Sequence, residues 1–303
     1  MSELRFDGRV AVITGAGRGL GRAYALLLAS RGAKVVVNDV GASLKGEGVD
    51  VGPAEQVVQE IKAAGGDAVA CTESVATPEG GKAIVQAALD SFGTVDIVIH
   101  SAGNVRRGSL EALSIEDWHL VLDVHLNGGF HVVRPAFPIM AKAGYGRIVL
   151  TSSINGLYGN ANVVNYSAAK GGLIGLANVA ALEGASKGIK ANVIVPAALT
   201  RMAEGLDTSA YPPMEPELVA PVVGYLAHES CAISGEMLIS AAGRVARAFT
   251  AESRGLYKPN WSIEDVADNL DTIRSTDSPV VFPVVPSGHI DHLKYSFAMT
   301  KEG

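Results

Sequence analysis

Tyr166 and Lys170 stand four residues apart in Asn165-Tyr166-Ser167-Ala168-Ala169-Lys170, and Ser153 lies thirteen residues before the tyrosine. On a helix, positions four apart share a face, so phenol and ammonium point into one space. A free tyrosine, with a pKa of about 10, is a poor base at neutral pH. A cation held beside it favours the phenolate and lowers that value. Such a phenol exchanges a proton with an alcohol or a ketone near neutral pH. Ser153 is placed to hold the oxygen of that substrate by a hydrogen bond. The alternative is a solvated helix carrying a chance Tyr/Lys pair, because such pairs are common.

The N-terminal segment supplies a partner for that chemistry. Val10-Ala11-Val12-Ile13 reads as a buried strand. It runs into Thr14-Gly15-Ala16-Gly17-Arg18-Gly19-Leu20-Gly21, and Arg22 to Arg31 reads as a helix. Strand, glycine turn and helix in that order are the context of a dinucleotide fingerprint. Gly15 permits the tight turn, Gly19 lets the backbone approach a pyrophosphate, and Gly21 lets helix and strand pack closely. The helix N-terminus offers free N–H groups to the phosphates, with Arg18 and Leu20 in the same turn. Lys34-Val35-Val36-Val37-Asn38-Asp39 reads as the second strand, and Asp39 follows Gly21 by 18 residues. An acid about 20 residues on binds the ribose hydroxyls of NAD. A carboxylate there repels a 2′-phosphate, so NAD is expected over NADP. Arg18 is the nearby cation that argues the other way, and a solvent-facing loop arginine is its alternative.

With these pieces the chain resembles the short-chain dehydrogenase/reductase family over about residues 6–245, through Thr-Gly-x-x-x-Gly-x-Gly and the Ser, Tyr-x-x-x-Lys set. The resemblance implies Tyr166 as catalytic acid/base, Lys170 as the cation that also holds the nicotinamide ribose, and Ser153 as the substrate-orienting hydroxyl. It also implies adenine contacts from Ser74 and Val75. Pro196-Ala197-Ala198-Leu199-Thr200 is similar to the loop that covers the nicotinamide amide, which adds Pro196, Ala198 and Thr200 to the cofactor set.

Two runs depart from the family pattern. His100-Ser101-Ala102-Gly103 replaces the usual Asn-Asn-Ala-Gly; Ser101, Ala102 and Gly103 are expected to keep a backbone role near the adenine ribose, and His100 to be structural. His125 stands where many relatives carry a catalytic asparagine, and Asn127 is expected to face another side of the helix. His125 acts through backbone or ring, or only packs; both readings stay open.

A narrower resemblance rests on Val37-Asn38-Asp39-Val40-Gly41 with its Gly-rich insert to Gly52, Asp123-Val124-His125-Leu126, Tyr158-Gly159-Asn160, and Ala227-His228-Glu229-Ser230-Cys231. It is to the (3R)-hydroxyacyl-CoA dehydrogenase modules of peroxisomal multifunctional enzymes of type 2. That implies oxidation of a (3R)-3-hydroxyacyl-CoA to the 3-ketoacyl-CoA with NAD. The substrate partner is then an acyl-CoA or a sterol-like molecule. Hydratase and sterol-carrier units are missing, and the chain ends Lys301-Glu302-Gly303 without a peroxisomal tripeptide, so a free-standing bacterial version is expected. A 3-ketoacyl-carrier-protein reductase, a hydroxysteroid or small-alcohol dehydrogenase, and a catalytically silent NAD-binding regulator remain as alternatives.

The elements that must position these residues alternate as strand and helix. The expected fold is α/β, a Rossmann-type doubly wound, seven-stranded parallel sheet with helices on both faces. Residues 1–245 form that domain and 246–303 a C-terminal extension on the domain or at a dimer interface. Further strands are expected at 68–71, 95–100, 147–152, 190–195 and 237–240. Helices are expected at 53–64, 78–92, 166–187 and near 263–274, with two within 115–142, the second kinked near Pro135 and Pro138. Residues 203–221 read as a lid over the substrate. The apolar run 280–285 is covered either by oligomer packing or by its own subunit.

A formal charge of −6 over 303 residues argues against a nucleic-acid partner, and an anionic CoA ester has to be met by local cations. Cys71 and Cys231 are too few for a disulfide framework or a metal site. No run of about 18 apolar residues suggests a membrane span. A cytoplasmic homodimer or homotetramer with NAD and without metal is the expectation.

Overall fold

The structure is a computed structural model that describes residues 3–200 and 210–301. β1 (Val10–Thr14), β2 (Lys34–Asn38) and β4 (Ile97–His100) are β-branched runs buried almost throughout, as parallel strands covered on both faces must be. β3 (Asp67–Cys71), β5 (Gly146–Thr151), β6 (Ile189–Ala197) and β7 (Met237–Ala241) complete the parallel set. The order is β3-β2-β1-β4-β5-β6-β7. Alternate side chains of each strand serve opposite cores. Ile13 packs with Tyr24, Leu28 and Ile61 beneath α1 (Gly19–Ser30), α2 (Gly52–Ala63) and α8 (Ala220–Ala227). Val12 packs with Ile84, Met140 and Leu173 beneath α3 (Pro78–Phe92), α5 (Gly128–Ala143) and α7 (Val164–Gly184).

The sheet has eight strands, not seven. β8 (Arg244–Ala248) returns antiparallel along β7. The two-residue turn Ala242-Gly243 has φ of 47° and 79°, both positive, as tight hairpins demand. Alanine rarely takes that conformation, so the turn leaves little trace in the sequence. β8 runs across residue 245, and the extension therefore begins inside the sheet.

α4 (Ile115–Leu122) is followed directly by a π-helical turn, Asp123–Asn127, before α5. α5 continues through Pro135 and Pro138, so the irregularity expected at the prolines falls at 123–127 instead. α6 (Ile154–Tyr158) is short and starts from Ser153. β6 also runs further than expected, through Pro196 to Ala197. In the extension, α9 (Ile263–Asp268) starts from a Ser262 capping box, and α10 (Leu270–Ile273) and α11 (His289–Met299) follow. Val285 packs against the core below α7, and Val284 lies over Gly235. That end of the 280–285 run is thus covered by its own chain.

A Cβ added at Gly21 would lie 2.2 Å from the Gly15 carbonyl oxygen, whereas one at Gly175 in α7 would meet open space. Gly21→Ala is expected to destabilise by about 1–3 kcal/mol. Gly175→Ala is expected to stabilise by about 0.5–1 kcal/mol. Denaturant melts of the two variants check the pair.

Candidate active site

β1 and β4 are neighbours whose helices leave towards opposite faces, and ligands of doubly wound sheets bind in the crevice beyond such a point. A cleft of about 310 Å³ opens there. The glycine turn lines it with Gly15, Arg18, Gly19, Leu20 and Gly21, and Asp39 closes the end of β2. Ser74 and Val75 line it after β3, and Ser101, Ala102 and Gly103 after β4. Thr200 completes it from the loop beyond β6. The cleft is a cradle that side chains would fill: a Cβ at Gly15 would lie 2.7 Å from the Ala102 Cα. No side chain caps α1, whose first residues line the cleft, so its N–H groups are available to an anion. Both Asp39 oxygens accept backbone hydrogen bonds, from Gly17 N–H (2.9 Å) and Gly41 N–H (2.7 Å). This donor set fits a dinucleotide.

Pro196 and Ala198 do not line this cleft, and neither do Ser153, Tyr166 and Lys170, which lie beside it. Pro196 is a strand residue paired with Ser240, and Ala198 packs against the core. Arg201 and Met202, and residues 203–209 of the expected lid, lie outside the described residues.

The three candidate catalytic side chains do converge. Ser153 follows β5 and caps α6, its hydroxyl accepting from Asn155 N–H. The Ser153 hydroxyl is close enough to the Tyr166 phenol to favour its charged form. Lys170, one turn along α7, is 3% exposed. Its Nζ lies 5.5 Å from the Tyr166 ring centre and donates to the Thr151 carbonyl (2.5 Å). Ser152 turns away, donating to the Lys170 carbonyl (2.8 Å), as the alternation along a strand requires.

Burial works against the acidic phenol expected of this cluster. Burial raises the Tyr166 phenol above its ordinary value, and only the Ser153 hydrogen bond opposes it. The amine is itself buried: desolvation pulls Lys170 down to about 7, and its proton is directed at Thr151.

His100 and His125 are both buried in the structure. His125 projects from the π turn, its ring edge-on to Tyr166 with centroids 5.1 Å apart. Its Nε2 meets the Asn104 backbone, 2.8 Å from the carbonyl, while Nδ1 has no partner among the described residues. Asn127 is exposed and donates to Asp123 Oδ1 (2.7 Å).

Three features went unread in the sequence. The insert after Asp39 supplies Ala42, Ser43, Leu44 and Gly46 to the cleft, and its Gly-rich composition directly after a strand-end acid was the available signal. Arg106 links that insert to α4 through Glu47 (2.9 Å) and Asp117 (3.5 Å). Asn165, fully buried, donates to the Arg106 and Asp117 carbonyls at 3.2 and 3.1 Å and so anchors the start of α7. A polar residue beside Tyr166 carries no sign of such a role.

A doubly wound sheet with a dinucleotide cradle and a Ser-Tyr-Lys cluster at its carboxyl edge defines a nucleotide-dependent oxidoreductase. The chain belongs to the short chain dehydrogenase family, whose pattern matches residues 9–209; it is an oxidoreductase of CH–OH donors that uses NAD(P). It is 52% identical over 254 residues to peroxisomal multifunctional enzyme type 2 of Drosophila melanogaster, across 84% of this chain and 42% of that one. The full-length structure of that enzyme superposes with a TM-score of 0.82 at 41% identity, covering 99% of this chain and 50% of the other. A Saccharomyces cerevisiae protein named peroxisomal hydratase-dehydrogenase-epimerase is 48% identical over 242 residues, 80% of this chain and 27% of that one. A protein named as a short-chain type dehydrogenase/reductase in Mycobacterium tuberculosis is 47% identical over 262 residues, 86% of this chain and 91% of that one. The chain thus spans less than half of the two peroxisomal relatives. No helix among the described residues is long and apolar enough to cross a membrane.

Lys170 gives the cofactor-free protein a pH signature. Below about 7 the amine is protonated in folded and unfolded chains alike, and the folded state bears the burial cost in full. Between about 7 and 10.5 the unfolded lysine keeps a proton that the folded one has lost, so stability rises with pH across that window. Lys170→Met is expected to be more stable than wild type at pH about 6, with the difference shrinking towards pH about 10. Urea melts across that range check it; a difference independent of pH contradicts it.

Proposed function

We propose that the chain is an NAD-dependent dehydrogenase that interconverts a (3R)-3-hydroxyacyl-CoA and its 3-ketoacyl-CoA. The convergence of Ser153, Tyr166 and Lys170 beside the cradle carries the dehydrogenase part of this reading. The names of the peroxisomal relatives, which include a hydratase-dehydrogenase-epimerase, support a place beside acyl-CoA hydration chemistry. NAD is favoured over NADP because Asp39 stands at the cleft wall, where a 2′-phosphate would meet a carboxylate.

NAD, when bound, supplies the hydride acceptor. Ser153 donates its hydroxyl hydrogen to the substrate oxygen and fixes its position against Tyr166. The Tyr166 oxygen takes the alcohol proton as the carbon is oxidised, and returns it in the reverse direction. Lys170 holds its amine below the phenol and serves the nicotinamide ribose. Burial of the amine keeps bulk water from the Lys170 side of the proton exchange.

Residues 1–245, whose sheet is completed by β8 as far as Ala248, serve as the catalytic domain, and the rest of 246–303 as an extension that packs on it or at a dimer interface. The exposed Phe249, Trp261, Ile263 and Phe297 support assembly into a homodimer or homotetramer. The buried free thiols of Cys71 and Cys231 fit a reducing cytoplasm.

A panel of 3-hydroxyacyl-CoA esters of both configurations and several lengths, with NAD and NADP, tests the reading. Turnover of the 3R esters with NAD is expected, with a preference over NADP of at least about 100-fold, set by like-charge repulsion of several kcal/mol. Asp39→Ala is expected to erode that preference. Activity confined to NADP, to 3S esters or to carrier-protein thioesters contradicts it. Tyr166→Phe is expected to lower kcat by about 10²–10⁴-fold with NAD affinity nearly intact; retained turnover removes Tyr166 from the chemistry.

A further inference from the structure

Thr14 and His100 are paired partners at the carboxyl ends of β1 and β4, the two strands that flank the nucleotide cleft. Both are fully buried. Polar groups in that position need partners, and theirs form one continuous chain. Thr14 Oγ1 accepts the backbone N–H groups of Ser101 and Ala102, each at 3.2 Å. The same oxygen lies 2.9 Å from His100 Nδ1. His100 Nε2 lies 2.9 Å from the carbonyl oxygen of His125 in the π turn.

The direction of these bonds follows from chemistry alone. A carbonyl cannot donate, so His100 Nε2 carries the hydrogen and Nδ1 is left as an acceptor. The Thr14 hydroxyl, which already receives two N–H groups, has its own hydrogen free for Nδ1. Burial and the nearby Lys170 pull His100 down to about 3, which agrees with a neutral ring. From His125 the chain continues to the active site. Its ring stands edge-on to Tyr166, and its Nε2 contacts both backbone groups of Asn104, with the N–H at 3.1 Å. It packs so closely under Gly103 that a Cβ there would lie 2.4 Å from Cε1.

We propose that His100 is a positioning residue for Tyr166: its ring ties the Thr14 hydroxyl, which holds the Ser101–Ala102 turn of the nucleotide cleft, to the His125 carbonyl of the π turn, and so fixes the His125 ring that buttresses the phenol. This rests on the reading of Tyr166 as the acid/base. The π turn has a function in this arrangement. It departs from the α ladder at the place where the His125 carbonyl accepts both the Gly128 N–H of the helix and a side chain from the sheet.

The test combines a direct view of the ring with kinetics. In cofactor-free protein carrying ¹⁵N-labelled histidine, His100 is expected as the neutral Nε2–H tautomer at neutral pH, with its Nδ1 resonance displaced by Thr14→Val and restored by Thr14→Ser. With NAD and a (3R)-3-hydroxyacyl-CoA, His100→Phe is expected to lower kcat by about tenfold, the scale of a small misplacement of a reacting group. Its NAD dissociation constant stays within about twofold. His100→Gln, whose amide still donates to the His125 carbonyl, is expected to recover most of that loss. An Nδ1–H or a charged His100 overturns the proposal without any substrate, and so does a His100→Gln no better than His100→Phe. If His100→Phe does not fold, the tautomer and the His100→Gln and Thr14→Ser variants decide. An active Tyr166→Phe would sink the acid/base reading itself; an inactive Tyr166→Phe beside a fully active His100→Phe removes only the positioning role.

Discussion

A lysine amine with almost no access to water organises the catalytic edge of this sheet. The interior offers an ammonium group little solvation, so it must find an acceptor or give up its proton. Lys170 does both in part: it donates to the Thr151 carbonyl, and burial pulls its pKa down to about 7. Thr151 ends β5, and Ser153 follows two residues later, so the bond that satisfies the amine also sets the distance from α7 to the strand that delivers the serine. Gly156 makes this approach possible, since a Cβ there would lie 2.8 Å from the Lys170 carbonyl carbon. The chemistry of the cluster depends on how closely α6, α7 and β5 meet.

The same closeness recurs on the nucleotide side. The turn after β1 and the turn after β4 touch through Gly15 and Ala102, and α1 presses on the first turn through Gly21 and Gly15. Backbone groups therefore form much of the cleft wall, and Asp39 holds two of their N–H groups. Thr14, His100 and His125 lie between this wall and the tyrosine. The nucleotide half and the proton-transfer half of the site share one buried hydrogen-bonded core.

Most of the architecture was legible because its determinants are local. β-branched runs at 10–14, 34–38 and 97–100, a glycine turn, and apolar helices between them leave little freedom in a doubly wound sheet. Tyr166, Lys170 and Ser153 were readable because spacing along one helix, and along the strand before it, places them without any long-range information. What escaped depended on contacts between distant segments. The eighth strand needs an alanine at positive φ. The π turn is signalled by nothing in Asp123-Val124-His125-Leu126-Asn127, and its contact with the His100 ring comes from another strand. The state of the Tyr166 phenol was misjudged for a related reason: spacing reports that a cation is near, but not that burial weakens that cation and raises the phenol. Pro196 followed a loop pattern, whereas β6 runs through it to Ala197.

The central claim is that the Tyr166 phenol is held protonated by burial until nucleotide joins the buried amine beside it. Titration of ¹³C-labelled tyrosine by NMR, with Tyr166→Phe to assign the resonance, measures this directly. In the cofactor-free protein the phenol should titrate above its ordinary value of 10.0, and in the NAD complex it should fall towards neutrality. A phenol that already titrates below its ordinary value without cofactor, or one that does not move when NAD binds, would contradict the account.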